Sequence, residues 1–581
     1  MPTRSAFSSG VFLKLRRRIR FFSPYKNSIF VLFVLGFLSS LFFLAGPYLS
    51  RLYIDTSFLK RDLPQFIRLS IVGIVLFLFS TLSGTAEDII KNRTLIKIKL
   101  GLAHTFIRKL YAHDLAYLQS KSVGETIYRI SNVETVARFI GEEIPRVLVD
   151  SCRLCIILGI TLFMDFRLTI ALVFLSPLFL IRGLYLRKKT QPIFSEIWKS
   201  NARLTKRLQE SLSKMQIIKA LRLELFQRHA YIRLLIENIR LTIKGFRWFI
   251  INSLSTTFLA KAVYGLISLF GGWFIIKGEL TLGRYTAVML YVAQAGTLLS
   301  SLSHRFEYFV QQGVTLDKFF EVIDSRPRIV DAPGAVRLGP FKKEIVSCDV
   351  AFGYEPGKQV FSRLSVSFPA GKWVGIVGPS GCGKTTLVNL ILRLYEPQAG
   401  TITIDGLEVR QAKLDSLRER IAAACQEPLL FDFSIRENIC LGLMHVSEGE
   451  LEEVISIIQA GEFIRQLPDG PDTAIGENAH CLSQGYKQRL ALARAVIRKP
   501  DILILDEATS SIDSATETKI LQALKTKRSG QTTIVISHRL STIKNADAIY
   551  FFNPRGEIET GPHEGLLAKS PDYKGFFQDQ L

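Results

Sequence analysis

The sequence predicts two joined folds: a membrane all-α six-helix transmembrane domain with long cytoplasmic helical extensions, followed by a soluble α/β domain. Three observations carry this expectation. The 581-residue chain is 48% hydrophobic at a mean hydropathy of +0.23, yet holds 74 Lys+Arg against 51 Asp+Glu. Its excess charge is all in one part, since residues 1–340 hold 47 basic and 21 acidic groups and residues 341–581 hold 27 and 30. Six apolar segments of the length a bilayer demands crowd the first part, and short β-branched strands alternate with helical stretches in the second.

The spans are expected at 27–49, 66–86, 147–164, 168–185, 248–276 and 285–302. Their connections alternate between short ones (50–65, 165–167, 277–284) and long ones of about sixty residues (87–146 and 182–247), too long for plain loops. Seven basic residues precede the first span, ten lie in 87–146 and sixteen in 182–247. By the positive-inside rule, the N-terminus, the long connections and the second domain are expected to be cytoplasmic, and the membrane is expected to be the bacterial plasma (inner) membrane. Leu204, Leu208, Leu212, Met215 and Ile218 recur at helical spacing among Lys and Arg, so the long connections read as membrane helices continued into the cytoplasm.

The basic leader 1–26, with Arg16, Arg17, Arg18 and Arg20, suits the anionic cytoplasmic leaflet and membrane lipid, and no nucleic acid is expected as a partner. It runs into an apolar stretch without a small-residue cleavage site, so no cleavable signal peptide is expected. Cysteines 152, 155, 348, 382, 425, 440 and 481 form no disulfide framework, and the Cys152/Cys155 pair reads as packed thiols on a helix. Asp150 and Arg153 read as structural. Lys261 stands thirteen residues from Trp248 and fifteen from Ile276, too deep for easy snorkelling. It is expected to face a partner carboxylate or a cavity where an anionic group of the substrate meets it, or else, with the span shifted, to lie in a wet vestibule without a substrate role.

The second domain contains Gly378-Pro-Ser-Gly-Cys-Gly-Lys-Thr385 after the strand Trp373–Val377 and before an apolar helix. This is the P-loop pattern in the setting that confirms it. Backbone N–H groups of Gly378, Ser380, Gly381, Cys382 and Gly383 wrap phosphates in a loop that also contains Pro379, which has no N–H to give, Lys384 reaches the β and γ oxygens, and Thr385, followed by Thr386, offers a hydroxyl to Mg²⁺. A second buried strand ends in Asp506-Glu507, an acid for the magnesium shell and an acid to polarise the attacking water. The cofactors expected are ATP and Mg²⁺.

With these residues in place the chain resembles the ATP-binding cassette (ABC) exporter half-transporters over nearly its whole length. Leu482-Ser-Gln-Gly-Tyr-Lys-Gln-Arg489 is similar to the family signature, Gln426 to the Q-loop glutamine, His538 to the switch histidine and Ser510-Ser-Ile-Asp513 to the D-loop. Val350, Phe352 and Tyr354 resemble the strand whose aromatic stacks on adenine. Gly124-Glu125 with Arg129 resembles the first intracellular connection, and Gly278 to Gly283 the approach to the last span. The resemblance implies a leader 1–26, a transmembrane domain 27–325, a linker 326–340 and an ABC cassette, an α/β P-loop ATPase domain, over 341–581.

It further implies catalytic roles for Glu507, His538 and Gln426, a magnesium shell of Thr385, Gln426 and Asp506, and Ser483 and Gly485 closing over ATP held by the opposite subunit. The working unit is then a dimer, with a homodimer the simpler reading and a heterodimer with a second half-transporter the alternative. Short helices at the tips of the extensions, 114–124 and 211–219, are expected to meet the cassettes. Gln484 and Tyr486 depart from the family's Leu-Ser-Gly-Gly-Gln, and the bulkier segment is expected to slow turnover without abolishing it. The function implied is ATP-driven export, or inner-to-outer leaflet translocation, of a lipid-like or amphipathic substrate by alternating access. A non-transporting ABC protein, such as an ATP-gated channel or regulatory subunit, is the alternative. Residues 1–26 leave no room for a preceding peptidase domain, which disfavours the peptide-processing branch.

Overall fold

The structure is a computed structural model that describes residues 23–476, 479, 482–553 and 557–578. The leader through residue 22 and Cys481 lie outside the described residues. The chain forms two units, Met1–His113 with Leu118–Arg326, and Asp114–Tyr117 with Pro327–Leu581.

The first unit is built on six helices, each apolar and long enough to cross a membrane: α1 (Ser23–Phe58), α2 (Leu63–Ala112), α3 (Val123–Met164), α4 (Phe166–Ser213), α5 (Glu224–Ile276) and α6 (Leu282–Asp324). The chain is therefore an integral membrane protein. At 1.5 Å per residue the 50 residues of α2 span about 75 Å, more than twice the hydrocarbon thickness, so the helix outruns the bilayer. The short connections close because each supplies an N-cap. Asp62 accepts from Gln65 N–H at 3.0 Å, Asp165 from Arg167 N–H at 3.0 Å, and Thr281 from Arg284 N–H at 3.2 Å. Short helices Leu115–Ser120 and Met215–Ala220 lie between the long ones.

Packing among the spans centres on Leu44, Ile157, Leu168, Val263, Ile267, Val292 and Tyr291, whose hydroxyl donates to the Leu44 carbonyl at 2.7 Å. Small residues allow close crossings, as at Gly124, where a Cβ would stand 2.6 Å from the Lys206 Cα. Beside it Arg129, 3% exposed, pairs with Glu125 at 2.6 Å and Glu321 at 3.3 Å. Asp150 accepts from Ser301 and Arg305, both at 3.3 Å, while Arg153 donates to Ser40, so these two charges join helices to one another. At the C-terminal end of α1 and the start of α6, Asp55 accepts from the Thr281 hydroxyl at 2.9 Å and from Gly283 N–H at 3.0 Å.

In the second unit a four-stranded antiparallel sheet, in the order β2 (Phe361–Pro369), β1 (Glu344–Phe352), β4 (Ala399–Ile404), β5 (Leu407–Glu408), accompanies a six-stranded sheet. The larger sheet runs β10 (Ile558–Gly561), β9 (Ala548–Phe552), β3 (Trp373–Val377), β8 (Thr532–Ile536), β7 (Ile502–Asp506), β6 (Ile421–Ala424), parallel except for β10. Burial on both faces explains the unbroken β-branched and aliphatic runs: every residue of β3, β7 and β8 is buried. Residues of 326–340 also join this unit, with Val336 N–H donating to the Gln411 carbonyl and Leu338 packed in the core. Because β3, β8 and β7 are parallel neighbours, the segments leaving their C-terminal ends converge, as open α/β sheets arrange their sites.

Candidate active site

The loop leaving β3 turns through three glycines at positive φ: Gly378 (+156°), Gly381 (+84°) and Gly383 (+99°). A Cβ at Gly383 would lie 2.5 Å from the Phe361 ring and one at Gly378 2.7 Å from the Phe552 carbonyl oxygen, so close packing excludes side chains on the inner side. At Gly381 a Cβ would meet nothing within 4 Å, which leaves the outer side of the loop open. That cradle, at the start of the helix Lys384–Ile391, fits a nucleotide's phosphates. Lys384 is buried, and its ammonium donates to the carbonyls of Gly378 (2.8 Å) and Pro379 (2.9 Å), with the Cys382 Sγ at 3.8 Å. Thr385 is exposed, and Thr386 accepts from the Tyr354 hydroxyl at 3.2 Å. Tyr354 stands just past β1, 49% exposed, edge-on to Phe352 and Tyr395.

Asp506 ends β7 at 4% exposure. Burial pushes its carboxyl above the usual range and Glu507 adds to the push, while a hydrogen bond from Thr385 and the charges of Lys384 and His538 oppose it. An acid tied to Thr385 fits a magnesium shell better than an isolated one. Glu507 takes the left-handed conformation, φ +49°, rare for a non-glycine and concentrated at functional sites. Its carboxylate accepts from the Gln426 amide at 2.6 Å and lies 2.8 Å from His538 Nε2. Glu507, Gln426 and His538, 112 residues apart at the extremes of the sequence, thus form one cluster beside the phosphate loop.

Ser483 and Gly485 stand apart from this cluster. Ser483 caps the helix Gln484–Val496 by accepting from Tyr486 N–H at 3.4 Å, and Gly485 passes so near the D-loop that a Cβ would sit 2.9 Å from the Ser511 carbonyl oxygen. Tyr486 is not a loose bulk on this segment. Its ring stacks on Phe463 at 3.8 Å between centroids and carries the Arg489 guanidinium 3.9 Å from its centre.

Lys261 is exposed on α5, with no ion pair among the described residues. Thr257, Lys261, Tyr264 and Ser268 recur at i, i+4, i+7 and i+11 and so share one face. This stripe runs between the buried seam of Asn252, Thr256, Val263 and Ile267 and an exposed arc of Leu254, Phe258 and Leu269. The spacing was present in the sequence, but segment-average hydropathy hides it. Gln488, 1% exposed in a helix of the cassette, is a buried polar residue to which the sequence, beyond its place in the signature segment, assigned no role of its own.

Six apolar helices fused to a P-loop cassette define the class: an ATP-binding membrane half-transporter. Comparison with known proteins gives the family. Residues 29–299 match the ABC transporter transmembrane region and residues 361–510 the ABC transporter domain. The ATP-dependent lipid A-core flippase of Desulfotalea psychrophila is 32% identical over 564 residues, 96% of this chain and 97% of that one. A fatty acid ABC transporter ATP-binding/permease protein of Mycobacterium bovis is 29% identical over 513 residues, 86% of this chain and 79% of that one. The fold matches a solved bacterial Atm1-family ABC exporter with ATP bound at a TM-score of 0.88, with 24% identity, over 95% of this chain and 99% of that one. The chain belongs to the ABC transporter family, as an exporter half-transporter.

Proposed function

We propose that this protein hydrolyses ATP to export a lipid-like or amphipathic substrate, or to move it from the inner to the outer leaflet, across the bacterial inner membrane by alternating access. The observation that carries this reading is the polar stripe of α5, in which Lys261 stands among hydroxyls beside an arc of large apolar side chains. A lysine at mid-span costs about 2.5–3.5 kcal/mol on insertion scales, so it persists where water or an anion receives it. An amphiphile with an anionic headgroup fits both parts of that surface, the headgroup on the stripe and the chains along the apolar arc. Two relatives named for lipid A-core and fatty acids support the lipid-like class.

The unit is a homodimer. Lys384 and the loop amides hold the phosphates, and Tyr354 stacks on adenine. Thr385, Asp506 and Gln426 would hold magnesium, which would supply charge neutralisation to the phosphates. Glu507 orients the attacking water and draws off its proton, and His538 holds Glu507 and the γ-phosphate side in register. Ser483 and Gly485 of one subunit complete the site of the other. ATP then binds the closed arrangement more tightly, and that differential affinity drives the outward opening, while hydrolysis resets it.

The test is ATPase stimulation in lipid nanodiscs across anionic lipids, neutral lipids and amphipathic compounds, paired with transport in vesicles. Stimulation by amphiphiles and vectorial movement are expected. Ion conductance without substrate movement would replace transport with a channel reading.

A further inference from the structure

Gln488 lies in the signature helix Gln484–Val496 with 1% of its surface exposed, among Leu490, Leu492 and Ala493 of the cassette core. A methionine or leucine would fill that space without desolvating an amide, so a glutamine is favoured there only if its polar atoms are satisfied. They are, by three hydrogen bonds to two different segments. Its Oε1 accepts from Ser511 N–H at 2.8 Å, and its Nε2 donates to the Ser510 hydroxyl at 2.9 Å and, more weakly, to the Gln426 carbonyl at 3.5 Å.

The D-loop is gripped from its other side as well. Arg539, the neighbour of His538, donates to the Ser510 carbonyl at 2.7 Å and the Ile512 carbonyl at 2.9 Å, and pairs at 2.7 Å with Glu517, which is 2% exposed. Thus Gln426 and His538, which both touch Glu507, each connect to Ser510 through one side chain. The same Gln488 belongs to the helix whose first turn carries Ser483 and Gly485, and Gly485 sits against Ser511 with no room for a side chain.

We propose that Gln488 is a positioning residue that transmits the state of a chain's own ATP site, through the D-loop and Gln426, to the Ser483–Gly485 segment serving the partner's site. The inference rests on the ATPase reading above and adds a route between the two sites of a dimer. Rearrangement of Gln426 or His538 around a nucleotide displaces Ser510 and Ser511, and the amide of Gln488 carries that displacement into the signature helix. An apolar side chain of the same length would keep the helix packed and lose the transmission.

The test uses full-length protein in nanodiscs. For Gln488→Met the kcat for ATP hydrolysis is expected to fall at least tenfold, with KM within twofold of the parent and the melting temperature unchanged. Gln488→Glu keeps an acceptor for Ser511 N–H and can accept from the Ser510 hydroxyl, but it sets a carboxylate against the Gln426 carbonyl, so partial rescue is expected. In a Glu507→Gln background, Gln488→Met should bind ATP as the parent does and fail to hold the closed dimer, read by inter-subunit spin-label distances. A Met variant that hydrolyses within twofold of the parent, or that closes normally, overturns the inference. Should Gln488→Met not fold, Ser510→Ala removes the acceptor from the opposite side and is expected to lower kcat about threefold at unchanged KM, and a parental kcat there overturns it equally. Absence of ATPase in the parent would instead sink the proposed function, so the two failures are distinct.

Discussion

The phosphate loop and the polar face of α5 present polar groups by different means. The loop does so with backbone: three glycines at positive φ open the N–H groups, and the one lysine lies on the loop's own carbonyls. The α5 face does so with side chains on a regular helix, where Thr257, Lys261, Tyr264 and Ser268 need no special backbone. The first arrangement is hard to alter without losing phosphate binding altogether. The second can be rewritten one residue at a time, so under the proposed function the fuel is fixed by chain geometry while the cargo is set by a few side chains on a frame that tolerates change.

Breaking the fuel side is expected to have the largest effects. Glu507→Gln should lower hydrolysis by roughly 10² to 10⁴-fold, the usual contribution of a positioned general base, while ATP binding and the closed dimer persist. Steady-state turnover at the parental rate would remove Glu507 from that role. Alkylation of Cys382 is expected to inactivate nearly completely, because an adduct on an Sγ 3.8 Å from the Lys384 ammonium fills the cradle. ATP should protect, and Cys382→Ser should resist the reagent; equal inhibition of the serine variant would place the damage elsewhere.

On the cargo side the effects should be smaller and selective. Lys261→Met is expected to weaken stimulation by an anionic amphiphile by roughly tenfold or more, as for a lost charge-assisted hydrogen bond of about 1.5–3 kcal/mol, and to leave a neutral amphiphile unaffected. Lys261→Arg should keep part of the response. Equal responses in parent and Met variants would take Lys261 out of the substrate path. The smallest contrast sharpens the comparison most: Thr257→Val should reduce stimulation by about two- to fivefold. Ile74→Thr, which sets the same hydroxyl on the apolar exposed face of α2, should leave it unchanged. If the two behave alike, α5 has no privileged face.

Much of this molecule was legible in the sequence because its signals are local. Runs of twenty apolar residues and a glycine loop between strand and helix do not depend on the rest of the fold, and the strands at Trp373–Val377 and Ile502–Asp506 follow from unbroken β-branched and aliphatic runs. What was not legible depends on partners far along the chain. Gln488 reads as one more polar residue of a charged helix until β6, the D-loop and the Q-loop close around it. The bond from Tyr354 to Thr386 ties residues 32 positions apart. Tyr486 reads as bulk in a glycine-rich signature, and only the fold supplies the Phe463 and Arg489 that hold its ring. The positive φ of Glu507 has no sequence signal at all, since glutamate is not a residue that seeks it.

The meeting of Asp55 with the start of α6 has a practical consequence for chimeric proteins. A Cβ at position 283 would lie 2.5 Å from the Asp55 carboxyl, so the acid and the glycine were fitted to each other as key to keyway. Replacing the first span with that of a relative transplants one half of this fit, and the graft inherits either a clash or a bare helix end. Chimeras that exchange positions 55 and 283 together should therefore express and fold better than those that exchange one alone, as read by monodisperse yield in detergent. Equal yields would mean that this junction is a pliable seam across which the spans can be exchanged one by one.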